Sequence, residues 1–272
     1  MTVGFDRPIS VVGATTGANL TTTAAYQFSV GPGSLLRVEQ ILAQLHYLPL
    51  NFVPAPGITA PTTFAGEVAT ISHPLAGNFT WRWASTPAML EAQWAPGSPN
   101  VMVKGALMAF EASQVNYDGY KLDDESVAQL TNASTWTALL KAAAANQLDP
   151  SPYSYVSVTE TLPETLTLWE NGTVVLTSPA NTGIPQDPTA TGTYPIYVRY
   201  TENYMSGTNP DGSNYHDLVP WINYFNGSDA VHGFIRASYG SPQSLGCVEL
   251  PVPTAAVAFS NLGVGDLVAV AS

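Results

Sequence analysis

Apolar side chains at Leu35, Val38, Ile41, Leu42 and Leu45 recur three and four positions apart, which predicts an amphipathic helix. Ser34 is placed to cap its start, and it ends near His46-Tyr47-Leu48-Pro49. A second helix is expected from about Asn100, with Val103, Ala106, Leu107 and Phe110 on one face, and another over Ser134-Thr135-Trp136-Thr137-Ala138-Leu139-Leu140. Between them Tyr117-Asp118-Gly119-Tyr120 reads as a turn, followed by a segment at 122–130. The passage joining the first two helices differs in kind. It is proline-rich from 54 to 61 and then alternates apolar and polar residues up to Trp83.

After Asn146 the period changes to that of strands. Segments 153–160, 165–171, 173–178, 192–200, 230–232, 247–250 and 266–270 read as β, with one helix near 253–259. Asn171-Gly172 between two of them is a type I′ hairpin signal. At the other end, the short apolar runs Ile9-Ser10-Val11-Val12 and Tyr26-Gln27-Phe28-Ser29-Val30 predict one or two strands closing at Gly31-Pro32-Gly33. The chain therefore divides into a β-rich extension (1–33), a helical domain carrying an insertion (34–146), a proline-containing linker (147–152) and a β-rich domain (153–272). The fold class is α+β, multidomain.

Composition narrows the function classes. The 272 residues carry a formal charge of −12, and beyond residue 150 two basic residues face ten acidic ones. Nucleic-acid binding is excluded on this ground, since phosphate contact requires clustered Lys and Arg. Only 10% of residues are charged, while turn-forming polar residues abound, which fits an extracytoplasmic β-rich protein. No stretch approaches the ~20 apolar residues that span a bilayer. Met1-Thr2-Val3-Gly4-Phe5-Asp6 carries no basic and apolar leader, so an export signal or anchor is expected to be missing from the sequence as given.

The single cysteine, Cys247, lies in Ser244-Leu245-Gly246-Cys247-Val248-Glu249-Leu250, with His232-Gly233 fifteen positions upstream. A lone thiol is either a buried inert group or a nucleophile. A glycine before it, a hydroxyl three positions back and a histidine on a neighbouring strand supply close approach, a polar wall and a base. A free thiol titrates near ~8.5, so a helper is needed at neutral pH, and a thiolate–imidazolium pair with His232 would remove the separate deprotonation step. N–H groups of Gly246 and Cys247 would hold the oxyanion. Of the other histidines, His46 and His73 read as structural, while His216 falls in the segment expected to cover the site.

His232-Gly233 followed by Tyr239-Gly240-Ser241-Pro242-Gln243-Ser244-Leu245-Gly246-Cys247 resembles the signature of the L,D-transpeptidase (YkuD-type) catalytic domain. Thr189-Ala190-Thr191-Gly192-Thr193-Tyr194-Pro195-Ile196 resembles that family's early strands, and Gly263-Val264-Gly265-Asp266-Leu267-Val268-Ala269-Val270 its closing strand. The order of segments in 34–145 is similar to a three-helix peptidoglycan-binding module.

The resemblance implies a cysteine acyltransferase of the cell wall, with Cys247 as nucleophile, His232 as base, the Gly233 carbonyl orienting that base, and no cofactor or metal. Cleavage of a donor tetrapeptide stem would release D-alanine, and a second stem's amine would take the acyl group. Peptidoglycan stem peptides and glycan are the implied partners, with carbapenem-type β-lactams as inhibitors of the same sulfur. Ser244, Arg236, Glu249, Tyr215, Trp221 and Tyr224 are the candidate substrate contacts, the last three from an aromatic-rich lid at 200–225. Hydrolysis as an L,D-carboxypeptidase, or a non-catalytic wall-binding role, are the alternatives. Two residues depart from the family pattern: Leu245, where histidine is usual, and Glu249, where a cation or amide is frequent. A carboxylate there should repel an anionic stem group, with Arg236 the one cation near enough to compensate.

Overall fold

The structure, a computed structural model, describes residues 9–12, 19–22, 33–114 and 133–272. It begins with strands β1 (Ile9–Val12) and β2 (Asn19–Thr22), helix α1 (Leu35–Gln44), strand β3 (Leu50–Pro54), helix α2 (Phe64–Ala69) and strand β4 (Gly77–Trp81). Helices α3 (Ala88–Glu91), α4 (Val101–Gln114) and α5 (Ala133–Ala145) come next. Strands β5 (Ser154–Thr159), β6 (Thr165–Glu170), β7 (Thr173–Pro179), β8 (Gly192–Pro195), β9 (Val198–Thr208), β10 (Asn214–Asn226), β11 (Asp229–Gly233) and β12 (Val248–Leu250) follow, then helix α6 (Val252–Asn261) and strand β13 (Leu267–Ala271).

The stripe Val38, Ile41, Leu42, Leu45 is fully buried, and it meets Phe110 of α4 and Trp136 and Leu139 of α5 in one cluster. Each such side chain contributes roughly 1.5–3 kcal/mol by leaving water. Ser34 has the extended backbone of an N-cap, but its side chain makes no capping bond, whereas Asn100 Oδ1 accepts the Val103 N–H at 3.0 Å. Buried Arg37 donates to Glu67 and ties α1 to α2. The passage between the first two helices is not bare alternation: β3 and β4 pair antiparallel around Phe52 and Phe79, and α2 lies between them. At six residues α2 carries too few apolar positions to show a period; its signal is local, Thr63 accepting from the Gly66 N–H at 3.2 Å. The expected turn at 117–120, the segment 122–130 and the strand at 26–30 lie outside the described residues.

Two sheets make the C-terminal part, one ordered β7-β6-β5-β13-β8 and the other β12-β11-β10-β9. Val156, Leu168 and Val268 from the first meet Phe225, Val231 and Val248 from the second, with Ala255 and Ala258 of α6 closing the layer. The expected hairpin at Asn171-Gly172 forms, with φ of 45° and 94° at the two turn residues. Segment 192–200, expected as one strand, is two: β8 pairs with β13 and β9 with β10, so the chain crosses between sheets at Ile196-Tyr197.

The helical and β-rich parts share a core. Tyr155, Trp169 and Leu267 belong to the same buried cluster as α1 and α4. A Cβ at Gly105 of α4 would stand 2.3 Å from the Gly265 carbonyl oxygen, so only glycine permits this helix to lie against the loop before β13. The segment 147–152 is held as well, since the Asp149 N–H donates to the Leu45 carbonyl at 2.8 Å.

Candidate active site

Strand β11 is buried from Ala230 to Gly233 and runs parallel to β12, with Val231 opposite Val248 and His232 opposite Glu249. Cys247 immediately precedes β12, so parallel pairing brings it level with the N-terminal half of β11. The connecting chain reverses at Gly246, whose φ is 94°. That turn is braced by Ser244, whose hydroxyl donates to the Cys247 carbonyl at 2.5 Å. It is braced again by Asn181, whose backbone exchanges two hydrogen bonds with Glu249 at 2.9 Å each.

Cys247 and His232 line one cleft of ≈ 270 Å³, together with Ser244, Leu245, Arg236, Glu249 and Phe234. The other wall is the β9–β10 hairpin, which is the segment expected as a lid. Met205, Tyr215, Asp217 and Val219 face the cleft from it, in the odd-numbered phase of the strands. The even-numbered neighbours Tyr204 and His216 stack on the outer face with ring centroids 4.4 Å apart. The hairpin tip is a turn: the Gly212 N–H donates to the Asn209 carbonyl at 2.9 Å and φ is 83° at Gly212.

His232 is 3% exposed, and its Nδ1 lies 3.1 Å from the Gly233 carbonyl oxygen. A carbonyl only accepts, so Nδ1 carries the proton and Nε2 is left with its lone pair. Burial pushes this imidazole below its ordinary range, partly offset by the Gly233 bond and the Glu249 charge. The Cys247 thiol is pushed up to about 12, foremost by burial. Asp229, Glu249 and Asp187 push it further up, and the Ala230 N–H works against them. Its sulfur lies 3.6 Å from the Ser228 carbonyl oxygen, to which a thiol donates. Both shifts favour the neutral thiol and the neutral imidazole over the expected thiolate and imidazolium. The cause is desolvation of both groups, which composition and spacing do not reveal.

Glu249 is not a bare carboxylate. Arg236 grips it with Nε to Oε2 at 2.8 Å and an Nη nitrogen to Oε1 at 2.7 Å, and also donates to the Gln243 carbonyl at 3.2 Å. The guanidinium covers the Phe234 ring at 4.7 Å.

Residues 152–270 match the model of the YkuD L,D-transpeptidase catalytic domain. This part of the chain belongs to that family. No curated protein matches the chain. Among solved structures, an L,D-transpeptidase in complex with imipenem is 26% identical, with a TM-score of 0.41, covering 44% of this chain and 59% of that one. An L,D-transpeptidase from Mycobacterium smegmatis is 24% identical, with a TM-score of 0.42 and the same two coverages. The catalytic domain of the Enterococcus faecium L,D-transpeptidase is 22% identical at a TM-score of 0.40, covering 45% of this chain and all of that domain. The chain thus spans less than two thirds of the length of the first two.

Not every expected contact reaches the cleft of the L,D-transpeptidase domain. Cys247, His232, Ser244, Arg236, Glu249 and Tyr215 line it, whereas Trp221 and Tyr224 do not. Trp221 sits at φ 61° and packs on Phe259 of α6, 5.5 Å between centroids. Tyr224 packs between Tyr197 and Tyr200. Both aromatics are recruited by the fold, so abundance in the segment overstated the binding face. Asp217 and Met205 are lining residues that sequence reading passed over; their period-two phase with Tyr215 was the available signal.

Proposed function

We propose that the chain is a peptidoglycan L,D-transpeptidase working outside the cytoplasm, with Cys247 as the acyl-transfer nucleophile. The observation that carries this is the single cleft shared by the chain's only thiol and a buried, correctly tautomerised imidazole, inside a segment of the L,D-transpeptidase family. Attack forms a bond from Sγ to the carbonyl carbon of the donor stem's third residue, as the thiol proton passes to Nε2 of His232. Collapse breaks the bond to D-alanine, and the imidazolium returns the proton to the leaving amine. In this reading the N–H groups of Gly246 and Cys247 hold the developing oxyanion. An acceptor stem's amine then attacks the thioester carbon, giving its proton to the same imidazole; collapse breaks the C–S bond and the proton returns to Sγ, restoring the thiol. The hairpin wall of Met205, Tyr215 and Val219 favours an amine over water by excluding solvent.

In this reading the helical domain holds glycan or stem peptide, and Glu249 meets the substrate as an ion pair with Arg236. Carbapenem β-lactams acylate the same sulfur. The test is a mass spectrum of products from purified muropeptides incubated with the chain. Cross-linked dimers and released D-alanine are expected, and both are absent with Cys247→Ala. Tripeptide stems without dimers would replace transfer with L,D-carboxypeptidase activity, and unchanged muropeptides would overturn the enzyme reading.

A further inference from the structure

Asp229 opens β11, directly after the Ser228 carbonyl that receives the Cys247 thiol. Its carboxylate faces two other segments of the site. Oδ2 accepts the Ala190 N–H at 3.2 Å, and Oδ1 lies 2.6 Å from the point where a Cβ on Gly246 would stand. Asp187 Oδ1 lies 4.0 Å from the same point. One side chain therefore ties the loop at 187–190 to the turn between β10 and β11 and lies against the glycine before the nucleophile.

We propose that Asp229 is a positioning residue for Cys247: it locks the 187–190 loop and Gly246 to the β10–β11 turn, so that the Ser228 carbonyl keeps the sulfur as a hydrogen-bonded thiol until substrate draws it to His232. A thiolate has no proton to give a carbonyl, so the Ser228 contact holds only for the protonated form. The charges around the sulfur act in the same sense. Asp187, Asp229 and Glu249 are carboxylates, Arg236 is engaged by Glu249, His232 is neutral, and Tyr215 and Tyr224 are phenols held above their ordinary range. A thiolate forming there is repelled unless the proton moves to His232 and the charge moves on to the substrate carbonyl. The consequence is a nucleophile quiet toward small electrophiles and oxidants while the cleft is empty, since it is the thiolate that reacts with both.

The purpose of this arrangement rests on the acyl-transfer reading, but its test needs no peptide substrate. Cys247 is the chain's only cysteine, so iodoacetamide labelling of the full chain reports on one sulfur. The wild-type rate is expected to rise with pH to a midpoint above the ~8.5 of an ordinary thiol. Asp229→Asn keeps an oxygen for the Ala190 N–H and removes the charge. Its midpoint is expected about one unit lower, with labelling at pH 8 faster on the order of tenfold. Asp229→Ala removes the tether as well, so its thiol is expected to label faster than wild type but to be acylated by imipenem more slowly than in Asp229→Asn. A wild-type midpoint at or below that of a free thiol overturns the proposal without recourse to any variant. A profile for Asp229→Asn that superimposes on wild type overturns it too.

Discussion

Arg236 and Glu249 form a bidentate ion pair at the edge of the cleft, with the carboxylate 5% exposed and the guanidinium 31% exposed. Arg236 gives the Glu249 carboxylate a partner of opposite charge, while Glu249 still raises the Cys247 thiol two residues away. The pair leaves Asp217, on the hairpin wall, as a cleft carboxylate outside it.

Arg236→Ala strips the buried carboxylate of its partner. The expected cost is about 3 kcal/mol, the lower end for a broken buried pair because Arg236 remains partly in water. Chemical denaturation reads it. Glu249→Gln, which leaves the more exposed cation alone, is expected to cost less than Arg236→Ala. Equal losses from the two would contradict the burial assigned to Glu249.

Gly246→Ala places a methyl group against Asp229 Oδ1 at a residue whose φ is 94°. Left-handed backbone alone costs an L-residue about 1–2 kcal/mol. Imipenem acylation of the variant is expected to fall well below wild type, measured by mass spectrometry over time. Wild-type kinetics would show that the turn tolerates a side chain and that its geometry is not what positions Cys247.

His232→Gln removes the base at a buried position without adding charge. Acylation by imipenem is expected to slow on the order of 10²–10⁴-fold, the usual worth of a positioned acid–base group. The pH dependence between 5 and 8 should flatten with it. An unchanged rate would remove His232 from the mechanism.

Stability against pH follows from two carboxyls. Burial raises Asp266 to about 8 and Glu39 to about 7, the first also feeling Asp149. A carboxyl raised in the folded state binds its proton more tightly there than in the unfolded chain. Its contribution is complete below the unfolded value near ~4 and is lost as pH rises through the folded value. Melting temperature is therefore expected to fall from pH 5 toward pH 8, and Asp266→Asn to reduce that fall. A melting temperature that rises over this range contradicts both assignments.

The parts of this architecture legible in sequence are those with local signals. Asn171-Gly172 names its own turn, and α1 and α4 show unbroken apolar stripes. The hairpin β9–β10 reads beyond residue 200 as a lid with no strand period, because each face mixes apolar and polar residues: Met205 and Asp217 point inward, Tyr204 and His216 outward. Period two carries no hydrophobic contrast there. The register that sets His232 beside Glu249, and the hand that Arg236 lends Glu249 from thirteen residues away, are tertiary facts. Motif spacing placed Cys247 and His232 together, but not the protonation of either, which burial decides.

Acyl transfer through Cys247 leaves a covalent mark on the protein. Incubating the full chain with imipenem and taking the intact mass tests it most directly. One covalent adduct is expected, located on the peptide containing Cys247 and absent from Cys247→Ala. Folded wild-type protein that gains no mass, or a Cys247→Ala chain that gains the same adduct, would contradict it.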